Sequence, residues 1–169
     1  RRLALAGRPA GQPDPGQRVH LAGLPGAPSR GQVAGAGARE RKALAAGAGG
    51  SDRLIGGAGV DVMTGGADGD IFVFESVQDS ALRSRDTITD FQDGADKIDL
   101  SAIDAVSGGS DNAFRFVGAS AFTKGAGQLQ SVISGDQTII SADVNGDKRA
   151  DFSIVLSGVH VLQESDFIL

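Results

Sequence analysis

The chain contains no Cys, no Trp, no Tyr and a single Met among its 169 residues. Without Cys there is no disulfide framework, no thiolate metal site and no cysteine nucleophile. Export is not excluded by this, because metal ions can cross-link a secreted fold in place of disulfides. Long apolar runs are also missing. Nothing approaches the roughly 20 residues that span a bilayer, so no membrane insertion is expected. The chain opens on Arg1 and lacks a basic-then-apolar leader, which reads as a piece of a longer polypeptide.

Proline and aromatic residues are missing from opposite parts. All five Pro lie at or before Pro28, whereas all eight Phe and every Ile lie after residue 50. The net charge of −5 hides the same division. Residues 1–46 hold eight Lys/Arg and two acids, a balance of +6; residues 47–169 hold eight and nineteen, a balance of −11. A simultaneous break in composition and charge sign marks a boundary near residue 46. Segment 1–46 is built from Ala, Gly, Pro, Arg and Gln without an aromatic residue. It cannot bury enough apolar surface to offset the entropy of ordering, so it is expected to be a disordered linker or an out-of-frame translation. A basic arm for nucleic acid would interleave aromatics with its cations, and none are present, so no nucleic-acid partner is expected.

What is abundant is glycine, 26 residues, and from Gly47 it falls into register. Three consecutive blocks read GAGGSDRLI (47–55), GGAGVDVMT (56–64) and GGADGDIFV (65–73). Each has the form G-[GA]-x-[GD]-x-D-x-U-x, with Asp52, Asp61 and Asp70 nine residues apart and a large apolar residue (Leu54, Met63, Phe72) two positions later. Glycine-rich hexads turn through positive φ and aim backbone carbonyls at one point. The remaining three residues make a short strand with its central side chain inward. Two blocks make one coil, so Asp52 and Asp70 should share one side of the stack, with Asp61 on the other. Carboxylates about 5 Å apart repel by about 1 kcal/mol in water and more when buried, and a hard cation with oxygen ligands would relieve this. The candidate metal ligands are therefore Ala48, Gly50 and Asp52; Gly57, Gly59 and Asp61; Gly66, Asp68 and Asp70. The pattern resembles the RTX nonapeptide, the hemolysin-type calcium-binding repeat of parallel β-rolls. Calcium is the implied cofactor.

After Phe72 the pattern lengthens. DTITDF (86–91) and DKIDLS (96–101) precede segments that read as strands: FRFV (114–117), QLQSVI (128–133), TIISAD (138–143) and DFSIVLS (151–157). Asn145-Gly146 between the last two is a hairpin signal. The expected fold class is all-β: a short parallel β-roll over 47–75 capped by an antiparallel β-sandwich over 76–169.

Residues 47–169 resemble the C-terminal region of serralysin-type RTX proteins. The resemblance rests on the nonapeptides, DTITDF, DKIDLSAID, FRFVGASAFTKGAGQLQ, DVNGDKRADF and the final DFIL. It implies a tail that binds calcium, folds outside the cell and carries the signal read by a type I secretion ABC transporter. That signal would be Asp166, Phe167, Ile168 and Leu169, which also read as a final strand edge. It further implies an upstream catalytic or adhesive domain and a secreted, extracellular location.

Two further cation candidates stand outside the regular blocks. Asp79, on the side of Asp61, together with Asp86 and Asp90, could complete a site at the end of the roll or simply cap turns. Asp143, Asn145, Asp147 and Asp151 have calcium-loop spacing. There Lys148 stands where an EF-hand-type loop needs Gly, so a hairpin with exposed acids is the expectation. Catalysis is not visible. His20 lies in the low-complexity segment and His160 reads as a packing residue on an apolar strand. No zinc-protease, nucleophile-elbow or phosphate-loop motif occurs. The chain itself is expected not to be an enzyme; a serralysin-like metallopeptidase, a lipase or an alginate epimerase are possible parents, and a calcium-stiffened adhesin is the remaining alternative.

Overall fold

Three residues per block are too few to bury anything but a central side chain, and that is how the blocks are used. β3 (Arg53–Ile55), β4 (Val62–Thr64) and β5 (Ile71–Val73) each bury their middle residue completely: Leu54, Met63 and Phe72. The computed structural model describes residues 32–34, 44–47, 49–108 and 111–169. Ala48 and most of segment 1–46 lie outside these residues. Two strands nevertheless fall within that segment, β1 (Gln32–Ala34) and β2 (Leu44–Ala46). They pair in parallel with β3 and β4, so an existing sheet edge supplies the hydrogen bonds that composition alone does not foresee.

Alternate strands go to alternate sheets. The first sheet runs β1-β3-β5-β7-β12, with β7 at Lys97–Asp99 and β12 at Phe167–Ile168. It is parallel throughout and stacks Leu54, Phe72, Ile98 and Phe167 in one inward row. The second runs β2-β4-β6-β11-β10-β9-β8. There β6 (Thr87–Ile88) continues the parallel stack, and β11 (Phe152–Ser157) pairs parallel with it. β10 (Gln137–Asp143) and β9 (Gln128–Ser134) then turn the sheet antiparallel, and β8 (Arg115–Phe116) closes its edge. Among the described residues the only helical element is a 3₁₀ turn, Glu164–Asp166, and no helix is long and apolar enough to cross a membrane.

The all-β class, a parallel roll with an antiparallel cap, is as the sequence implies, but residue 75 is not a break in either sheet. From β3 onward, successive roll strands begin 9, 9, 16 and 10 residues apart. The coil continues through β6 and β7 with longer loops. The long loop between β5 and β6 is anchored on β11: Ser80 Oγ donates to the Ser153 carbonyl at 2.6 Å and the Ser153 N–H to the Ser80 carbonyl at 3.0 Å. Phe74 meets Phe152 edge-on at 5.4 Å. One apolar core, from Leu54 through Ile98 and Ile140 to Phe167, fills the space between the sheets.

Candidate metal centre

The loops of the coil stack along two edges. One edge holds residues 49–52, 65–70 and 89–96, between β2 and β3, β4 and β5, and β6 and β7. The other holds 56–61 and 74–86. Asp52 and Asp70 therefore share an edge and Asp61 lies opposite, as the spacing implies. Each loop ends in a buried aspartate, and three of these reach back one coil. Asp70 Oδ1 accepts the Asp52 N–H at 2.8 Å, Asp86 Oδ1 the Asp61 N–H at 2.8 Å and Asp96 Oδ1 the Asp70 N–H at 2.9 Å. The turn geometry comes from positions two and four of the blocks, where φ is positive: 77° at Gly57, 103° at Gly66, 91° at Gly50 and 147° at Gly59. Asp68 occupies a fourth position at φ 74°, a conformation costing a non-glycine residue about 1 kcal/mol. In return its carboxylate accepts the Gly50 N–H from the preceding coil at 3.0 Å.

The second oxygens of these carboxylates carry the chemistry. Oδ2 of Asp70 and Oδ2 of Asp86 are buried without a hydrogen-bond partner. A buried, unsatisfied carboxylate oxygen is costly, and the ionisation equilibria register this. Burial pushes the Asp86 carboxyl up to about 8 against the partial relief of the Asp61 N–H, and the charges of Asp61 and Asp79 add to the rise. Burial likewise raises Asp70 to about 6, with Asp96, Asp52 and Asp90 adding to it. Asp96 is also raised by burial. The block-opening glycines leave the space beside these oxygens. A Cβ on Gly65 would stand 2.3 Å from Asp70 Oδ2, and one on Gly56 would stand 3.1 Å from Asp61 Oδ2 and 3.2 Å from Asp86 Oδ2. Two carboxylate oxygens from successive coils thus close on one glycine cradle.

This donor set fits a hard cation. Among the described residues no three His, Asp or Glu side chains gather as a ready-made cluster. An ion here would complete its shell with backbone carbonyls, the all-oxygen environment that suits calcium.

The other expected ligands are dispersed. Asp79 lies on the edge of Asp61, and its Oδ2 accepts the N–H groups of Glu75 at 2.8 Å and Ser76 at 3.1 Å within its own turn. Asp90 lies on the opposite edge from Asp86 and accepts the Gly65 and Gly66 N–H groups at 2.9 and 2.8 Å. The turn joining β10 to β11 carries Asp143, Asn145, Asp147 and Asp151, but their side chains close on its own backbone. Asp143 accepts N–H bonds from Gly146 at 2.7 Å and Lys148 at 2.9 Å, and Asp151 accepts from Val144 and Asn145, both at 3.0 Å. Asp143 is fully buried rather than exposed, and Lys148 takes φ 70°, the conformation Gly would supply. At the other end of the chain Asp166 is buried in the 3₁₀ turn, Phe167 and Ile168 form β12 against β7, and Leu169 packs on the core. His160 is not on a strand. Its Nδ1 meets Asp93 Oδ1 at 2.6 Å, its Nε2 meets the Ser157 carbonyl at 3.0 Å, and its ring stands edge-on to Phe91. Sequence reasoning missed Asp96 as the end of the aspartate column and the opening glycines as the cradle of the site. The signal for Asp96 was present as Asp-x-apolar, repeated in Asp86-Thr87-Ile88 and Asp96-Lys97-Ile98.

Known proteins share this architecture. The family model for the peptidase M10 serralysin C terminal matches residues 37–169, a range that takes in β2 and the last ten residues of the segment expected to be a disordered linker or an out-of-frame translation. The metalloprotease AprA of Pseudomonas entomophila (strain L48) is 40% identical over 91 residues. That match covers 52% of this chain and 18% of AprA, so the chain spans under a fifth of that relative's length. The solution structure of the AlgE6R3 subunit of the Azotobacter vinelandii mannuronan C5-epimerase superposes with a TM-score of 0.57 at 24% identity, covering 85% of this chain and 75% of that one. At that identity the likeness is one of fold. With the aspartate columns and the continuous sheets, the match over 37–169 makes this chain a member of the serralysin C-terminal family.

Proposed function

We propose that the chain is a calcium-dependent folding and export module at the C-terminal end of a secreted, serralysin-like metallopeptidase. The observation that carries this is the pair of buried, unpartnered oxygens on Asp70 and Asp86. Calcium would supply positive charge where the fold concentrates carboxylates. Asp70 beside Asp52 on one edge, and Asp86 beside Asp61 on the other, would each hold an ion together with carbonyls from the glycine turns. Without the ion, ionised aspartates at these positions oppose the stacking of coils, so at low cytosolic calcium the chain stays unfolded and threadable through a type I ABC transporter. Outside the cell, calcium at ten times its Kd contributes about 1.4 kcal/mol per site. The segment Asp166–Leu169 would be read by the transporter before β12 pairs with β7, since folding buries Phe167. No residue of the chain is assigned a catalytic step; that activity belongs to the upstream domain.

The test is far-UV circular dichroism of the chain in EDTA, followed by titration with calcium and, separately, magnesium. A cooperative gain of β signal with calcium and none with magnesium is expected. A spectrum already β-rich in EDTA at pH 8 and indifferent to calcium would overturn the proposal.

A further inference from the structure

The third loop on the first edge, residues 89–96, does not repeat the loops before it. At the step between 49–52 and 65–70 the incoming aspartate, Asp70, leaves Oδ2 unpartnered; at the step between 56–61 and 74–86, Asp86 does the same. At the step between 65–70 and 89–96 the incoming aspartate is Asp96, and both of its oxygens are used. Oδ1 accepts the Asp70 N–H at 2.9 Å and Oδ2 the Gln92 N–H at 2.9 Å. Asp90, in the same loop, spends its two oxygens on the N–H groups of Gly65 and Gly66.

The carbonyls at this step are also satisfied. Gln92 Nε2 donates to the Gly66 carbonyl at 2.8 Å and to the Asp68 carbonyl at 3.3 Å. Gly66 and Asp68 are positions two and four of the third block, held at φ 103° and 74°. Their carbonyls converge on one point, and a carboxamide –NH₂, with two protons and no acceptor, matches two such oxygens. A cation would ask for the same convergence.

We propose that Gln92 terminates the metal column: its side-chain amide nitrogen stands where a cation would otherwise bridge loops 65–70 and 89–96. This rests on the calcium reading above, which assigns ions to the two earlier steps. The last step on this edge is built from protein groups alone, and the stack keeps one face that needs no metal. Residue 92 thereby sets how many ions the module takes.

The experiment counts calcium ions on the full chain by native mass spectrometry at saturating calcium, for wild type, Gln92→Glu and Gln92→Ala, with circular dichroism as the folding control. Glutamate is isosteric but turns an acceptor toward the two carbonyls, which calls for a cation; Gln92→Glu is expected to bind one ion more than wild type. Gln92→Ala is expected to bind no fewer ions than wild type. An unchanged count in Gln92→Glu overturns the proposal. So does the loss of one ion in Gln92→Ala, which would make Gln92 a ligand through its oxygen. If wild type binds no calcium, the functional reading fails instead. A single ion gained by Gln92→Glu would then still support the assignment of the cap, and none gained would overturn it.

Discussion

Replacing Asp86 by Asn should make the protein more stable where calcium is absent and less stable where it is abundant. Asparagine keeps the Oδ1 that accepts the Asp61 N–H. In place of the unpartnered Oδ2 it puts an –NH₂ beside the same glycine cradle that Asp61 Oδ2 approaches. The carboxyl it removes has been pushed by burial from 3.8 to about 8. Each unit is worth about 1.4 kcal/mol, so a rise of about four units corresponds to an ionisation penalty on the order of 5 kcal/mol. The sign follows from proton linkage. The folded metal-free state binds this proton more tightly than the unfolded state, so the stabilisation is complete below about pH 4 and is lost as pH rises through about 8. Water entering the empty site softens the penalty, so about half of it should be observed. In EDTA at pH 8.5, Asp86→Asn should therefore gain about 2–3 kcal/mol over wild type, read as a larger folded fraction in the β signal, because the wild-type chain is largely unfolded there. At pH 4 the two proteins should converge. With calcium in excess the order should reverse, because a carboxamide is a weaker ligand for a hard cation than a carboxylate. The assay is the folded fraction by circular dichroism in EDTA at both pH values, and urea unfolding followed by circular dichroism in excess calcium. A variant less stable than wild type in EDTA at pH 8.5, or a difference that ignores pH, would refute the reasoning.

Three further outcomes follow from the same geometry. In EDTA the wild-type chain should gain β signal as pH falls from 8 toward 5, since the raised Asp70 and Asp86 carboxyls both protonate in that window; a loss of signal over that range counts against the assignment. Gly65→Ala sets a Cβ 2.3 Å from Asp70 Oδ2 and should raise the calcium concentration for half-folding about tenfold or more, equivalent to about 1.4 kcal/mol; an unchanged titration midpoint would remove Asp70 from the site. Phe72→Ala, in the fully buried row between Leu54 and Ile98, should cost about 3–5 kcal/mol in calcium-saturated unfolding, and a cost below about 1 kcal/mol would mean that the sheets do not pack as described.

Much of this was legible because the regular blocks carry two signals in phase. Asp52, Asp61 and Asp70 announce the turns, and Leu54, Met63 and Phe72, two residues later, announce the inward row. The antiparallel strands were legible for another reason: Phe152, Ile154 and Leu156 alternate with smaller or polar neighbours, and all three are buried in β11, where Ser153 alone breaks the alternation by being buried as well. What escaped did so where period or locality failed. The 16-residue step from β5 to β6 erases the nine-residue register, so β6, β7 and Asp96 look like a new domain although they continue the coil. β12 pairs with β7 across roughly seventy residues, and parallel pairing at that distance leaves no local mark. The turn between β9 and β10 is only Gly135-Asp136, with Gly135 at φ 62°, and it was hidden inside two strands read separately. Gln92 escaped because an amide closing two carbonyls has no motif; it is visible only once Gly66 and Asp68 have been folded toward it.

The pairing of β12 with β7 has a consequence for when the protein can fold. On a ribosome, β3 to β7 emerge long before Phe167 and Ile168, yet the first sheet cannot be completed until those two residues have been synthesised and have returned to the Ile98 side of the stack. β11 imposes the same delay on the second sheet through its contact with β6. Distant pairings of this kind slow folding, because loop-closure entropy must be met before the contacts can reward it. The topology therefore withholds the finished core from a growing chain, whatever ions surround it, and leaves assembly to a polypeptide made at least through residue 168.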